Sequence, residues 1–251
     1  MKKIIESILK KTGYELSKLP DIQLVQKPKN LIVEFIGPSS VGKTTHFLGF
    51  LNQTPLSLVN GRSLSNPRIK SQEDYIKDYH IEILKGKIYN LFSQSHSNWF
   101  VYDHIKYYIQ CIDIDLKCLH VEGCIICEEG LFHNFTSEFI DLHKSNSGLL
   151  HSAFNNRAYI SIASDPEIIF AQAVKRADKT NFILQQYNKF EKSKEKILEW
   201  ISKDLAKTGE LVNIIKLYHR PCLELKVENS LEKNIRLIET FLKERVEEMR
   251  R

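Results

Sequence analysis

Residues 31–45 read Leu31-Ile32-Val33-Glu34-Phe35-Ile36-Gly37-Pro38-Ser39-Ser40-Val41-Gly42-Lys43-Thr44-Thr45, and the fold turns on how this stretch is parsed. Leu31 to Ile36 is a short β-branched apolar run bounded by Asn30 and Gly37, the pattern of a buried parallel strand. Gly37 to Gly42 is a loop, and Lys43 to Leu51 is a plausible helix with Phe47, Leu48 and Leu51 on one side. The loop and helix start match the Walker A pattern G-x-x-x-x-G-K-[ST] in full, between the strand and helix that the pattern requires. The spacing has a physical reason. Successive backbone N–H groups must point inward around a phosphate, which glycines permit sterically, and the helix amino end adds partial positive charge. Lys43 is placed to reach the β- and γ-phosphates, and the Thr44 hydroxyl to ligate Mg²⁺. Gly37, Pro38, Ser39, Ser40, Val41, Gly42, Lys43, Thr44 and Thr45 are therefore the expected ATP-binding set. The motif points to nucleoside triphosphate binding and leaves open what the energy drives.

Outward from this stretch, short apolar runs alternate with helical patterns. Leu56 to Val59 reads as a second strand, ended by Asn60-Gly61. Residues 72–92 and 99–119 read as helices, the latter carrying Val101, Ile105, Tyr108, Ile109, Ile112 and Leu116 near helical spacing. Gly123 to Cys127 is a third strand candidate and Tyr159 to Ile162 a fourth. The fourth is followed by Asp165-Pro166-Glu167, a helix start with proline in the first turn. A charged helix is predicted over 186–208, a strand over 222–227, and a last helix over 231–248 capped by Glu228-Asn229-Ser230. Strands alternating with helices predict an α/β fold with a mostly parallel sheet.

The third strand ends in Glu128-Glu129-Gly130. Open α/β sheets place their ligands at the carboxyl ends of strands, so a carboxylate here is expected near Mg²⁺ and the γ-phosphate. Alternation along an extended strand predicts that Glu128 and Glu129 point to opposite sides, and Glu128, the first acidic position, is favoured. It would hold Mg²⁺ with Thr44, directly or through water, or accept the proton of an acceptor hydroxyl.

With these two elements in place, the chain resembles the P-loop kinases of the thymidylate kinase and deoxynucleoside kinase type, within the P-loop NTPase superfamily. IVEFIGPSSVGKTTHFLGFL resembles the family's opening strand, phosphate loop and first helix, and ICEEGL its third strand with the acidic end. YISIASDPEIIFAQAVKRADK resembles its fourth strand, Asp-Pro-Glu helix start and basic lid, and LELKVENSLEKNIRLIETFL its last strand and terminal helix. The resemblance implies a three-layer fold with five parallel strands in the order 2-3-1-4-5 and a helical lid. It implies that Arg176 is the lid arginine that offsets charge on the transferring phosphoryl group, assisted by Lys179, and that Arg62 helps to hold the acceptor. It implies transfer of the γ-phosphoryl group of MgATP to a small molecule: a nucleoside, a nucleotide, or a sugar in surface-polysaccharide synthesis. One departure stands out. Those kinases carry Asp-Arg or Glu-Arg after the third strand, whereas this chain has Glu128-Glu129-Gly130, so Glu129 occupies an acceptor-side position without the arginine. Residues 61–122 carry no family signature and are the expected helical seat of acceptor specificity. The alternative is a P-loop ATPase acting as a regulatory or membrane-surface module. An Asn-Lys-x-Asp guanine motif is absent, which argues against a GTPase.

Composition agrees with this class. The 251 residues are 42% apolar and 27% charged, which excludes collagen-like, coiled-coil and fully disordered chains. No apolar run approaches the roughly 20 residues that span a bilayer. A net charge of +5, with both signs interspersed, suits anionic substrates and gives no expectation of nucleic acid. Five cysteines, an odd number, fit reduced thiols and a cytoplasmic location. Cys124 and Cys127 have C-x-x-C spacing, but within a strand they project to opposite faces and read as buried thiols rather than zinc ligands. Residues 1–29 form a basic amphipathic leader, predicted helical, ahead of a kinase-like domain over 30–251. Residues 1–12 are compatible with a peripheral anchor at the inner membrane face or with a helix packed on its own domain. A homodimer is a further open expectation. The aromatic cluster Trp99, Phe100, Tyr102, Tyr107 and Tyr108 fits core packing or an acceptor ring, and His133 follows the acidic loop closely enough to line the site.

Overall fold

The computed structural model describes residues 30–65, 76–93, 98–145, 147–177 and 194–250. The leader over 1–29 and the lid position Lys179 lie outside the described residues. In chain order the elements are β1 (Asn30–Ile36), α1 (Lys43–Leu51), β2 (Val59–Asn60), a 3-10 turn (Gly61–Ser65), α2 (Asp78–Ser93), α3 (Asn98–His120), β3 (Gly123–Cys127), α4 (Leu131–Asn134), α5 (Thr136–Lys144), α6 (Leu149–Ala153), β4 (Arg157–Ala163), α7 (Pro166–Ala177), α8 (Lys194–Leu217), β5 (Cys222–Lys226) and α9 (Leu231–Arg250). The strands form one sheet in the order β2-β3-β1-β4-β5, and every neighbouring pair is parallel. This is the order that the resemblance implies.

Alternation along the strands builds the layers. Leu31, Val33 and Phe35 of β1, Ile126 of β3, and Ile160 and Ile162 of β4 pack on one face against Phe47 and Phe50 of α1 and Ile235, Ile238 and Leu242 of α9. The other face meets α2 to α6 and the second half of α8, through Ile36, Tyr159, Phe132, Phe139, Leu211 and Ile215. Each fully buried large side chain contributes roughly 1.5–3 kcal/mol. Local signals set the helix starts: Asp165 Oδ1 accepts the Glu167 N–H at 2.8 Å beside Pro166, and Ser230 Oγ accepts the Lys233 N–H at 3.2 Å. Among the described residues no helix is long and apolar enough to cross a membrane.

The elements differ from the sequence reading at several points, among them the helix read over 72–92, which begins at Asp78. The second strand is Val59–Asn60 rather than Leu56–Val59, because only these residues pair with Ile125 and Ile126, while Leu56 and Leu58 turn inward against the α1/α9 core. The charged helix continues past 208 to Leu217, since Leu211, Val212, Ile214 and Ile215 prolong its apolar stripe through Gly209. The segment between β3 and β4, read without elements, winds into α4, α5 and α6 around Phe132, Phe135 and Phe139.

A buried charge cluster lies beneath the site. Glu34 of β1 is fully buried and accepts from Arg157, the first residue of β4. Arg157 also donates to both oxygens of Asp115 on α3, at 2.6 and 2.8 Å, and to the Ala153 carbonyl at 2.8 Å. His80 of α2 bonds Asp115 Oδ2 at 2.9 Å through Nε2, and its Nδ1 accepts the Lys77 N–H at 3.2 Å. Burial, opposed by Arg157, pushes the Glu34 carboxyl from 4.5 up to about 7. For Asp115 the balance is reversed: burial raises it, but Arg157 and His80 outweigh burial and hold it low. Burial also holds His80 below its ordinary value. Between pH 4.5 and about 7 the folded protein therefore keeps a Glu34 proton that the unfolded chain has released. The Glu34 contribution is full below 4.5 and is lost as pH rises through about 7, whereas that of His80 is lost as pH falls. We expect the stability difference between wild type and Glu34→Gln, measured by urea unfolding, to shrink by at most about 3 kcal/mol between pH 5 and 7.5. A difference that grows with pH over that interval would contradict this sign.

Candidate active site

The phosphate loop has the backbone its sequence requires. Gly37 has φ 150° and Gly42 φ 95°, and Ser40 takes φ 64° without being glycine. A Cβ on Gly37 would stand 2.5 Å from the Ile162 carbonyl oxygen, so that position tolerates no side chain. Lys43 is buried, and its Nζ donates to the carbonyls of Gly37 at 3.0 Å and Pro38 at 2.9 Å, which curls the loop over the start of α1. His46 anchors that helix. Its Nδ1 donates to the Gly42 carbonyl at 2.9 Å, and its Nε2 accepts from Asn234 Nδ2 of α9 at 2.9 Å, while Asn234 also donates to the Lys226 carbonyl.

Glu128 is buried beside the loop, and the Thr44 hydroxyl donates to its Oε1. The Glu129 carboxylate lies 3.9 Å from Lys43 Nζ and 3.7 Å from His133 Nε2. The two glutamates thus do not diverge as alternation predicts. β3 ends at Cys127, and 128–129 form a bend in which both carboxylates turn toward the loop. Glu34 fixes that bend: its Oε2 accepts the Phe132 N–H at 2.9 Å, and a Cβ on Gly130 would collide with its carboxylate. The glycine that follows the two glutamates is therefore demanded by the buried charge cluster.

Three further residues converge here. The His133 ring reaches the Gly37 backbone; burial first, and then the charges of Lys43 and Lys87, hold its pKa well below the ordinary histidine range. Asp204 of α8 meets the Ser39 backbone, and burial raises its carboxyl against the pull of Lys43 and Lys207. Gln172 of α7 approaches Gly42. Asp204 and Lys87 carry no sequence signal, since each sits on a charged helix face like many others. Arg176 falls in the last turn of α7, one turn beyond Gln172, and Arg62 in the 3-10 turn after β2. Lys179 is outside the described residues.

The residues fit a polyphosphate and a hard cation. Ser40 Oγ is buried inside the loop and has no hydrogen-bond partner among the described residues. The Thr44 hydroxyl and the Glu128 carboxylate are oxygen donors of the kind that Mg²⁺ prefers. The helices α2, α3, α5 and α8 enclose a groove of about 580 Å³, with Phe100, His104 and Tyr108 on one wall and Asn90 and Glu138 on another.

No family model matches the sequence, and no curated protein matches it either. Among solved structures, the chain is similar to a gluconokinase from Sinorhizobium meliloti 1021, at 12% identity and a TM-score of 0.42 over 89% of this chain and 97% of that one. It is similar to the shikimate kinase of Bacteroides thetaiotaomicron, at 12% identity and a TM-score of 0.41 over 85% and 98%. It is similar as well to the deoxyadenosine kinase of M. mycoides solved with bound dATP, at 14% identity and a TM-score of 0.43 over 85% and 100%.

Proposed function

We propose that the protein is an ATP-dependent kinase that transfers the γ-phosphoryl group of MgATP to a hydroxyl of a small molecule. The observation that carries this reading is the meeting of Thr44, at the start of α1, with Glu128, from the neighbouring strand end, beside a lysine-buttressed loop. When bound, MgATP would supply the phosphoryl group and the metal would neutralise part of its charge. The chain's own residues do the rest. The loop N–H groups from Ser39 to Thr44 and the amino end of α1 hold the polyphosphate. Lys43 offsets charge that spreads over the transferred group, and Arg176, on the helix that flanks the loop, adds to it. Thr44 and Glu128 hold the cation, and Glu128 or Glu129 takes the acceptor's proton. Lys179 and Arg62 are assigned to the closing lid and the acceptor side. The cytoplasm is the proposed location, and sedimentation with anionic liposomes, with and without residues 1–20, tests for a membrane contact of the leader.

Incubation with γ-labelled ATP and a panel of nucleosides, nucleotides and sugars tests the reading; a labelled acceptor is expected. Label released only as free phosphate with every acceptor would replace the kinase with an ATPase. Glu128→Gln is expected to reduce turnover by about 100-fold or more, and Glu129→Gln by less than about 10-fold. The reverse ranking in steady-state kinetics would transfer the principal role to Glu129.

A further inference from the structure

We infer that the groove between α2, α3, α5 and α8 seats the phosphoryl acceptor, and that it selects an uncharged ring-bearing alcohol over a phosphorylated one. The inference rests on the kinase reading and names the substrate class of that same site.

Position is the first argument. The groove is lined by Lys87 of α2, whose charge acts together with that of Lys43 on the His133 ring. It is also lined by Lys207, one helical turn from Asp204, which meets the Ser39 backbone. The cavity therefore lies against the end of α4, the turn that leads out of the acidic bend: Lys87 Nζ sits 4.8 Å from the Tyr108 ring centre and 5.4 Å from that of Phe135, which follows α4. Its volume of about 580 Å³ lies within the usual range of small-molecule sites.

Charge is the second. The lining carries three lysines, Lys87, Lys144 and Lys207, and three carboxylates, Glu138, Asp141 and Glu210, so its formal charge is zero. Lys87 is paired with Glu138 at 2.8 Å and Lys144 with Glu210 at 3.0 Å. The Glu138 side chain is only 3% exposed. If Lys87 left it to clamp a ligand phosphate, a buried carboxylate would lose its counter-charge, which is strongly unfavourable. A phosphate or carboxylate on the acceptor thus meets three like charges, while Lys87 is held by the buried Glu138 and Lys144 and Lys207 are exposed to solvent.

Shape chemistry is the third. Phe100 and His104 stack with ring centroids 3.8 Å apart, and Tyr108 continues the wall at 6.4 Å from His104. Facing polar groups, Asn90 Nδ2 donating to Glu138 Oε1 at 3.1 Å and the Ser137 hydroxyl, can read donors on a ring edge. A flat wall with a polar edge suits a neutral heterocycle or a sugar ring, so nucleosides and free sugars share the required chemistry. In the step, the acceptor's hydroxyl oxygen bonds to the γ-phosphorus of ATP. The bond from that phosphorus to the β,γ-bridging oxygen breaks, ADP leaves, and the hydroxyl proton passes to the acidic loop.

The test uses the full chain with γ-labelled ATP and matched pairs: nucleosides with their 5′-monophosphates, and free hexoses with hexose phosphates. Label is expected on the uncharged members, nucleosides or hexoses identifying the source. His104→Ala and Asn90→Ala should each raise the acceptor KM about 10-fold or more and leave the ATP KM unchanged. A phosphorylated acceptor preferred over its parent, or variants with a normal acceptor KM, would overturn the inference. If no compound is labelled, saturation-transfer NMR with the same panel decides. Uncharged rings that bind wild type and not His104→Ala keep the seat while the transfer reading fails, and no binding by any of them overturns the seat as well.

Discussion

Lys43→Ala is expected to lower phosphoryl transfer by at least about 100-fold, in line with the removal of one preorganised charge from a transition state. The ammonium has two jobs that the variant separates. It donates to the Gly37 and Pro38 carbonyls, which stabilises the loop, and it presents a positive charge at the amino end of α1. Loss of the hydrogen bonds costs about 1–3 kcal/mol and should appear as a lower urea midpoint with an unchanged slope. Loss of the charge should appear in kcat. Glycine dihedrals at 37 and 42 and the anchoring of His46 on Asn234 are independent of the lysine, so the loop retains its path. Turnover close to wild type in the folded variant would end the kinase reading.

The sequence was most informative where local chemistry and fold agree. The run from Leu31 to Thr45 needs glycine at 37 and 42, a β-branched strand before it and a helix after it, and each requirement is written in adjacent residues. Gly123 to Cys127 was legible for the same reason. What escaped is what depends on distant residues. Glu34 sits inside an apolar run and gives no hint of pairing with Arg157, 123 positions later. Nor does Gly130 announce that its missing side chain makes room for that carboxylate. The convergence of Glu128 and Glu129 was misread because strand alternation was extended past Cys127 into a bend. Asp204 and Lys87 reach the site from helices whose charged faces look solvated in sequence, and only packing shows otherwise.

The buried cluster also sets the largest expected stability effect. Arg157→Ala should destabilise the fold by about 3–5 kcal/mol, because Glu34 and Asp115 would be left without their counter-charge. One guanidinium serves two carboxylates here, and the division is unequal. Asp115 accepts two bonds from a single Arg157 nitrogen, one from His80 and a longer one from the Tyr79 hydroxyl at 3.5 Å, whereas Glu34 shares its charge with the Phe132 N–H and carries the raised pKa. Removal of Arg157 should therefore drive Glu34 to protonate first, so the loss should be smaller at pH 5 than at pH 8. Since Glu34 also holds the bend that carries Glu128 and Glu129, Arg157→Ala should disturb the acidic loop before the fold is lost. Urea unfolding at the two pH values measures the first effect. The second can be read by hydrogen exchange at Phe132, whose amide should lose protection in the variant. A Phe132 amide as protected as in wild type would show that the loop holds its path without the cluster. A loss below about 1 kcal/mol at both pH values would show that water, rather than Arg157, compensates the two carboxylates.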